Sequence, residues 1–362
     1  MLTELLDILV CPECRTDLTL EVVDGTMENI VAGFLVCRDC SSRYPVDDDI
    51  PFFAPEIVHG GVRNQQSTYS TWWDRYHDEA SVVDESHRDF FYNSLRIKAE
   101  EIEGKRVLDA GCGNGRFSFV VSRYQPRLLV AFDVSSGVLH ARKAISRHNP
   151  KAQVGFVQGD ITRPPFRAEV FDIVFSWGVI HHTPRAEETF SIISQLVVPG
   201  GTLGVYVYEF HPLYRWRNQP ILLFAYLRSL LLIRPLRAVC SHLPAPVVHA
   251  LFLPVYHLEK ILDIGVVGCH GPPQERWSKQ RYFRVVIDRF KTRYASEHQL
   301  EEVLQWFHQA GYDQVVVGWR PRLSVTAIKL SQDPQHTFQV MFVEGPEVDE
   351  SIRRYVSTQI AG

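Results

Sequence analysis

Seven cysteines occur in 362 residues, and four of them form two C-x-x-C pairs, Cys11-Pro-Glu-Cys14 and Cys37-Arg-Asp-Cys40. A C-x-x-C turn brings two thiolates onto one ion, and a second such turn completes a tetrahedral S4 shell whose usual occupant is Zn2+. Four thiolates leave no open coordination position, so Cys11, Cys14, Cys37 and Cys40 are expected to hold a structural metal. The competing readings are four reduced cysteines or, in an exported chain, two disulfides. The first residues show no basic leader, apolar run and small-residue cleavage site, which favours metal and a cytoplasmic location. Asp24-Gly25 is a turn signal and Phe34-Leu35-Val36 an apolar run, so short strands are expected between the pairs. A module this small depends on its metal to fold.

The second chemistry lies in a glycine-rich turn. Val107-Leu108 reads as a buried strand ending in Asp109, after which Gly111-Cys112-Gly113-Asn114-Gly115 opens a helix at Phe117. Glycine is needed where the backbone turns sharply and approaches a ligand with no Cβ between. Dinucleotide enzymes share the G-x-G pattern. The acid two positions before the first glycine, and the spacing G-x-G-x-G, set this turn apart from theirs. Cys112 reads as a small filler of the turn rather than a nucleophile.

Further apolar segments follow at regular intervals. Leu128–Phe132 ends at Asp133-Val134, Val154–Val157 leads to Gly159-Asp160-Ile161, and Phe171–Trp177 carries Ser176 near its end. Leu196–Leu203 then passes through Pro199-Gly200-Gly201 into a fifth strand. Such alternation predicts a parallel sheet with helices on its faces. An acid at a strand end can accept from both ribose hydroxyls, which suits Asp133. Asp160 is placed to accept from an adenine amino group.

In order, Val-Leu-Asp-Ala-Gly-Cys-Gly-Asn-Gly, Asp133, Gly-Asp160-Ile, Phe-Asp-Ile-Val-Phe-Ser and Val-Pro-Gly-Gly resemble the motifs of class I S-adenosylmethionine-dependent methyltransferases. They are most similar to the branch that includes the ubiquinone and menaquinone methyltransferases. The resemblance covers about residues 90–210 and resumes from Tyr294 to Leu330. It implies an α/β, Rossmann-like seven-stranded sheet, mostly parallel with its last strand antiparallel, and S-adenosylmethionine as cofactor. By that resemblance Asp109, Gly111, Gly113 and Gly115 hold the methionine end, Asp133 the ribose, and Asp160 with Ile161 the adenine. Cys112, Val134 and Ser176 are assigned to the same cofactor site. The residues flanking the cysteine pairs, Leu5–Val10 and Tyr44–Phe52, resemble the zinc-ribbon family of small methyltransferase-activating proteins over roughly the first 55 residues. Asp49 stands where that family usually has glycine. Members of that family partner separate methyltransferases, so the resemblance implies a ribbon fused here to its enzyme.

Methyl transfer from a sulfonium is an in-line displacement, and a protein contributes alignment and exclusion of water. A general base is needed only if the acceptor must lose a proton. Gly178-Val179-Ile180-His181-His182-Thr183 follows the fourth strand, and His181 is the candidate base because an imidazole titrates near neutrality. The bland alternative is that both histidines only pack or bond within the loop. No Asn-Pro-Pro-Tyr-like sequence follows that strand, which argues against methylation of an exocyclic base amine.

These motifs divide the chain into a ribbon (1–55), a linker and lid helix (56–89), a core (90–208), a helical insertion (209–293), the end of the core with a last helix and hairpin (294–331), and a tail (332–362). The aromatic stretch Tyr69, Trp72, Trp73 and Tyr76 reads as core packing or as the edge of the lid. The last helix is expected from a capping-type start at Ser296 to Ala310-Gly311. Hydrophobic residues make up 45% and charged residues 22% of the chain, an ordinary globular composition, and the net charge of −4 gives no general pull toward nucleic acid. The insertion nevertheless has 13 Lys/Arg against 5 Asp/Glu. It combines apolar runs, Pro220–Tyr226 and Val247–Phe252, with a basic-aromatic stretch from Arg276 to Tyr294. The expected partner is a small lipophilic or anionic acceptor beneath this cap, with peripheral membrane contact as a further option. Docking of RNA through the ribbon and the basic-aromatic stretch is the alternative, and a non-catalytic cofactor-binding scaffold comes third.

Overall fold

The cysteine pairs frame a small antiparallel sheet. In the computed structural model, which describes residues 3–27, 30–53, 60–76, 84, 86–148, 151–209, 229–262, 278–318, 323–330 and 339–342, β1 (Leu18–Gly25), β2 (Ile30–Cys37), β3 (Arg43–Asp47) and β4 (Ile50–Pro51) pair in that order. Ile30, Leu35 and Cys37 of β2 and Tyr44 and Val46 of β3 are buried, as the period of two requires. The turn after β3 holds Asp48 at φ 48° and Asp49 at φ 64°, the left-handed region that favours glycine. Asp49 fits there because its side chain replaces a backbone partner: its carboxylate accepts the Ile30 N–H at 2.8 Å, and its own N–H donates to the Ile30 carbonyl at 2.9 Å.

The larger sheet begins with β5 (Arg106–Ala110), then β6 (Leu128–Asp133), β7 (Val154–Gln158), β8 (Phe171–Trp177) and β9 (Val197–Val207). These five strands are parallel, in the order β9-β8-β5-β6-β7. The hairpin β10 (Tyr312–Val317) and β11 (Leu323–Lys329) completes the expected seven strands, β11 running antiparallel to β9. A further short strand, β12 (Gln339–Phe342), lies in the segment expected as a tail and pairs parallel to β10 at the edge.

Alternate residues face opposite sides of this sheet. Val107, Leu129 and Ile173 are buried with Phe91 and Leu95 of helix Ser86–Leu95 and Phe117 of helix Arg116–Ser122. Leu108, Val130 and Val174 belong to the opposite cluster, with Phe190 of helix Ala186–Ser194 and Phe307 of helix Leu300–Gln309. Leu5 and Leu9, from and beside helix Thr3–Ile8, join that same cluster, so the ribbon and the sheet share one core. Gly155 of β7 accommodates Leu5: a Cβ there would come within 2.9 Å of its Cδ2 atom. Phe52 bridges to Gln158 in parallel, and Leu9 bridges to Phe166.

The last helix starts at Leu300, later than expected from Ser296. Ser296 is drawn elsewhere: its N–H donates to the His181 carbonyl at 2.9 Å, and its hydroxyl lies 2.7 Å from the His298 ring. Gln299 becomes the N-cap, with Glu302 closing the capping box. The C-terminal end is as expected, with Gly311 at φ 78°.

The chain divides into two compact units, one of Met1–Val58, Asp78–Glu209 and Ser296–Gly362, the other of His59–His77 and Phe210–Ala295. The second unit is helical, built from Gly60–Tyr76, Arg234–Cys240, Ala245–Leu262 and Lys279–Val286, with π-helical turns at Ser229–Ile233 and Ile287–Lys291. Its core holds Val248, Phe252, Tyr256, Tyr282, Val286 and Phe290, and Trp72 packs against it, as the packing reading of the aromatic stretch requires. Helix Gly60–Tyr76 extends into residues expected as linker; the apolar run Pro220–Tyr226 and Arg276-Trp277 lie outside the described residues. Among the described residues no helix is long and apolar enough to cross a membrane.

Candidate functional site

The strand order places β6 and β7 on one side of β5 and β8 on the other. A chain that reverses direction in this way leaves a crevice at the carboxyl ends of the strands, where open α/β sheets bind ligands. All the cofactor-site residues expected from the sequence sit at those ends: Asp109 on β5, the glycine turn after it, Asp133 and Val134 at the end of β6, Asp160 and Ile161 after β7, and Ser176 on β8.

The turn is held by short-range bonds. Gly111 and Cys112 donate their N–H groups to the Phe132 carbonyl at 2.7 and 3.0 Å, and Gly115 donates to the Cys112 carbonyl at 2.9 Å. Gly111 lies at φ 98° and Gly115 at φ 88°. A Cβ on Gly111 would come within 2.2 Å of Val179, so this position excludes any side chain twice over. Cys112 is buried and its thiol is pushed up by burial, in keeping with a filler.

Asp133 closes the turn. One carboxylate oxygen accepts the Gly113 N–H at 2.8 Å, and the other accepts the N–H and hydroxyl of Ser135 at 2.8 and 2.6 Å. Val134 offers its carbonyl to the Gln158 amide at 2.9 Å, and Asp160 accepts the Thr162 N–H at 2.8 Å. Ser176 is fully buried and donates to the Ala110 carbonyl at 2.8 Å, tying β8 to β5. Asp109 is 3% exposed and accepts the Ser118 hydroxyl at 2.6 Å. Burial pushes its carboxyl up to about 7; the Ser118 hydroxyl opposes this and the Asp133 charge adds to it. Burial also raises Asp133. A buried carboxyl group, Asp109, and a half-buried one, Asp133, at neighbouring strand ends fit a ligand that brings positive charge, as a sulfonium and an amino group do.

His181 lies in a 3-10 turn, Ile180–His182, and is fully buried. Its ring centroid is 3.9 Å from that of Tyr208 and 4.2 Å from that of His182. Tyr206 stacks on Trp177 at 4.5 Å, and the Arg116 guanidinium lies 4.7 Å over the Trp177 ring. Tyr206, Tyr208, Trp177 and Arg116 were not singled out in the sequence. The one available signal was position, at strand ends or directly after the glycine turn.

In the ribbon, the sulfurs of Cys11, Cys14, Cys37 and Cys40 all lie within 4.8 Å of one another. The pairs Cys14–Cys37 and Cys11–Cys40 stand 3.4 and 3.5 Å apart, far beyond a disulfide bond. Sulfurs about 2.3 Å from a central zinc would be separated by roughly 3.8 Å, so the set fits a tetrahedral ion. Thr16 reaches both Cys14 and Cys37, at 3.1 and 3.2 Å, and the Tyr44 hydroxyl lies 3.2 Å from Cys11, so the sulfurs have supporting hydroxyls. Arg15, in the first cysteine turn, donates to the carbonyls of Pro164 (2.6 Å) and Phe166, linking the metal turn to the larger sheet's loop.

Comparison with known proteins agrees with both modules. The methyltransferase domain family matches residues 107–201, and the Trm112p-like protein family matches residues 3–49. The chain is 35% identical to a fatty-acid O-methyltransferase of Mycolicibacterium smegmatis over 30% of its own length and 39% of that protein. It is 30% identical to a sterol 24-C-methyltransferase of Saccharomyces cerevisiae over 31% of this chain and 30% of that protein. A tRNA U34 carboxymethyltransferase of Desulfotalea psychrophila is 27% identical over 31% of this chain and 35% of that protein. The chain therefore spans well under half the length of these curated relatives. A magnesium protoporphyrin IX methyltransferase structure from Synechocystis aligns with 74% of this chain and 97% of that one, at 14% identity and a TM-score of 0.41.

Proposed function

We propose that this chain, a methyltransferase domain joined to a zinc ribbon, transfers a methyl group from S-adenosylmethionine to a small lipophilic acceptor met at an anionic lipid surface. The observation that carries the reading is the outer face of helix Ala245–Leu262. Val247, Leu251, Leu258, Ile261 and Leu262 are 42–79% exposed along it, and its one acid, Glu259, is buried. Leu230, Leu231 and Val239 of the same unit are exposed as well. Apolar faces in a segment with 13 Lys/Arg against 5 Asp/Glu suit the interface of an anionic lipid layer, where a lipophilic acceptor would partition. The fatty-acid and sterol enzymes among the relatives support the same class.

When bound, the cofactor supplies an electrophilic methyl on a good leaving group. The chain's own work is to hold and to shield. In this reading Asp133 and Val134 hold the ribose, Asp160 and Ile161 the adenine, and the glycine turn with Cys112 and Ser176 shapes the methionine end. Asp109 acts there through charge. His181 takes a proton where the acceptor is a hydroxyl, steadied by Tyr208 and by the backbone bond to Ser296.

RNA is the second reading, favoured by the Trm112p-like ribbon and the tRNA-modifying relative. Two observations weigh against it. Tyr282, Phe283 and Phe290 of the basic-aromatic stretch are buried, so they offer no platform for bases. The ribbon's first 55 residues carry 11 Asp/Glu against 3 Lys/Arg, the wrong sign for a phosphate backbone.

The test supplies labelled S-adenosylmethionine to the zinc-loaded protein, with free fatty acids, sterols and a lipid extract in one arm and total tRNA and rRNA in the other. Label in the lipid arm is expected. Label confined to RNA would replace this reading with the second. Gly111→Ala is the control and should lower transfer by about tenfold or more, equivalent to about 1.4 kcal/mol.

A further inference from the structure

Within the helical unit, helix Gly60–Tyr76, the start of helix Ala245–Leu262 and the turn Ile287–Lys291 line an open cavity of about 140 Å3. Its lining residues include Arg75, His249 and Lys291, with Thr68, Thr71 and Trp72. Among the described residues no carboxylate lines it. Arg75 and Lys291 therefore line one space without an acid paired to either among the described residues.

The local chemistry reflects that imbalance. Among the described residues, neither Arg75 nor Lys291 is paired with an acid. Lys291 Nζ donates only a long bond, 3.4 Å, to the Ser241 carbonyl, and burial pushes its ammonium below the ordinary lysine range. His249 is lowered first by burial and then by the charges of Arg75 and Lys279. The Trp72 Nε1–H is buried and has no acceptor among the described residues. Pro244 and Ala245 also line the cavity, so the positive end of an 18-residue helix faces the same space.

We propose that this cavity is an oxyanion site that takes a phosphate group, as a free phosphate ester or as a lipid headgroup. A tetrahedral oxyanion accepts from several directions at once. The residues lining the cavity carry donors of this kind: a guanidinium, an ammonium, an indole N–H and hydroxyls. A planar carboxylate would use fewer of them. The site rests on the helical unit alone, and its occupancy is read without any methyl donor, so its failure would leave the acceptor reading untouched.

The experiment uses the full, zinc-loaded chain. Tryptophan fluorescence is followed while inorganic phosphate is added at constant ionic strength, with chloride as the balancing anion. A saturable change is expected, and Trp72→Phe should remove it. Arg75→Gln and Lys291→Gln should each weaken it by about tenfold, the usual consequence of losing one charge-assisted bond. Arg75 is exposed, so its substitution is compatible with folding and keeps the test decisive if Lys291→Gln does not fold. A second arm adds phosphatidylcholine vesicles with and without phosphatidic acid. Competition by phosphatidic acid identifies a headgroup source, and response to phosphate alone identifies a free ester. The proposal is overturned if neither ligand gives a response, if chloride reproduces it, or if it survives both charge substitutions.

Discussion

The ribbon and the helical unit are both additions to the same sheet, and they spend their apolar residues in opposite ways. Leu5, Leu9, Leu35 and Val46 of the ribbon lie in one cluster with Leu108, Val130 and Phe307 of the larger sheet and its helices. The helical unit buries its own Val248, Tyr282 and Phe290 together and leaves Leu251, Leu258 and Ile261 exposed. The first addition is part of the interior of the sheet-bearing unit. The second keeps an interior of its own and leaves apolar residues on its surface, the feature on which the proposed lipid contact rests.

The strongest way to break this contrast is to remove the metal. Chelation, or Cys14→Ser, should unfold the ribbon and, through the shared core, remove the cooperative melting of the sheet-bearing unit. Structural zinc contributes on the order of 10 kcal/mol in isolated ribbons and fingers, so a large loss is expected. Calorimetry with and without zinc checks this; an unchanged transition for the sheet-bearing unit would mean that the two share a cluster but not their stability.

A pair of leucines sharpens the same contrast. Leu5→Ala removes a side chain that is 1% exposed and should cost about 2–5 kcal/mol. Leu251→Ala, at a position 53% exposed, should change stability by no more than about 0.5 kcal/mol while weakening sedimentation with anionic vesicles. Urea midpoints and a vesicle pull-down separate the two effects, and equal stability losses would defeat the distinction.

A pH effect concerns the site between these additions in the sequence. Asp109 binds its proton more tightly when folded, with its carboxyl near 7, than an ordinary aspartate near 4. Its contribution to stability is therefore complete below about pH 4 and lost as pH rises through about 7. Asp109→Asn should flatten the fall in urea midpoint across that window. The same carboxyl must ionise to meet a cationic ligand, so cofactor binding near pH 6 should release a proton, measurable by calorimetry in buffers of different ionisation enthalpy.

The sheet was legible because its signals are local. Val107-Leu108 before Asp109, and Phe171–Trp177, are short apolar runs ending at turns, and Gly111 and Gly115 sit where positive φ is required. Cysteine spacing identified the metal set for the same reason. What escaped depends on partners distant in the chain. Tyr208 meets His181 only once β9 lies beside β8. Ser296 looked like a helix cap, but the His181 carbonyl, 115 residues away, engages it instead. The aromatics between Arg281 and Arg293 alternate with charges as a docking surface would, yet Tyr282 and Phe290 turn inward. Charge spacing says nothing about which side of a helix a second helix will cover.

β7 is the last strand at its end of the large sheet, and Phe52 and Phe53 run along it, the Phe53 N–H donating to the Gln158 carbonyl at 2.7 Å. An open strand edge of this kind is a template on which other chains can add and precipitate. The cover precedes the edge in the chain by about a hundred residues. During synthesis, which proceeds from the N-terminal side, the segment that covers this edge is made before the strand it covers.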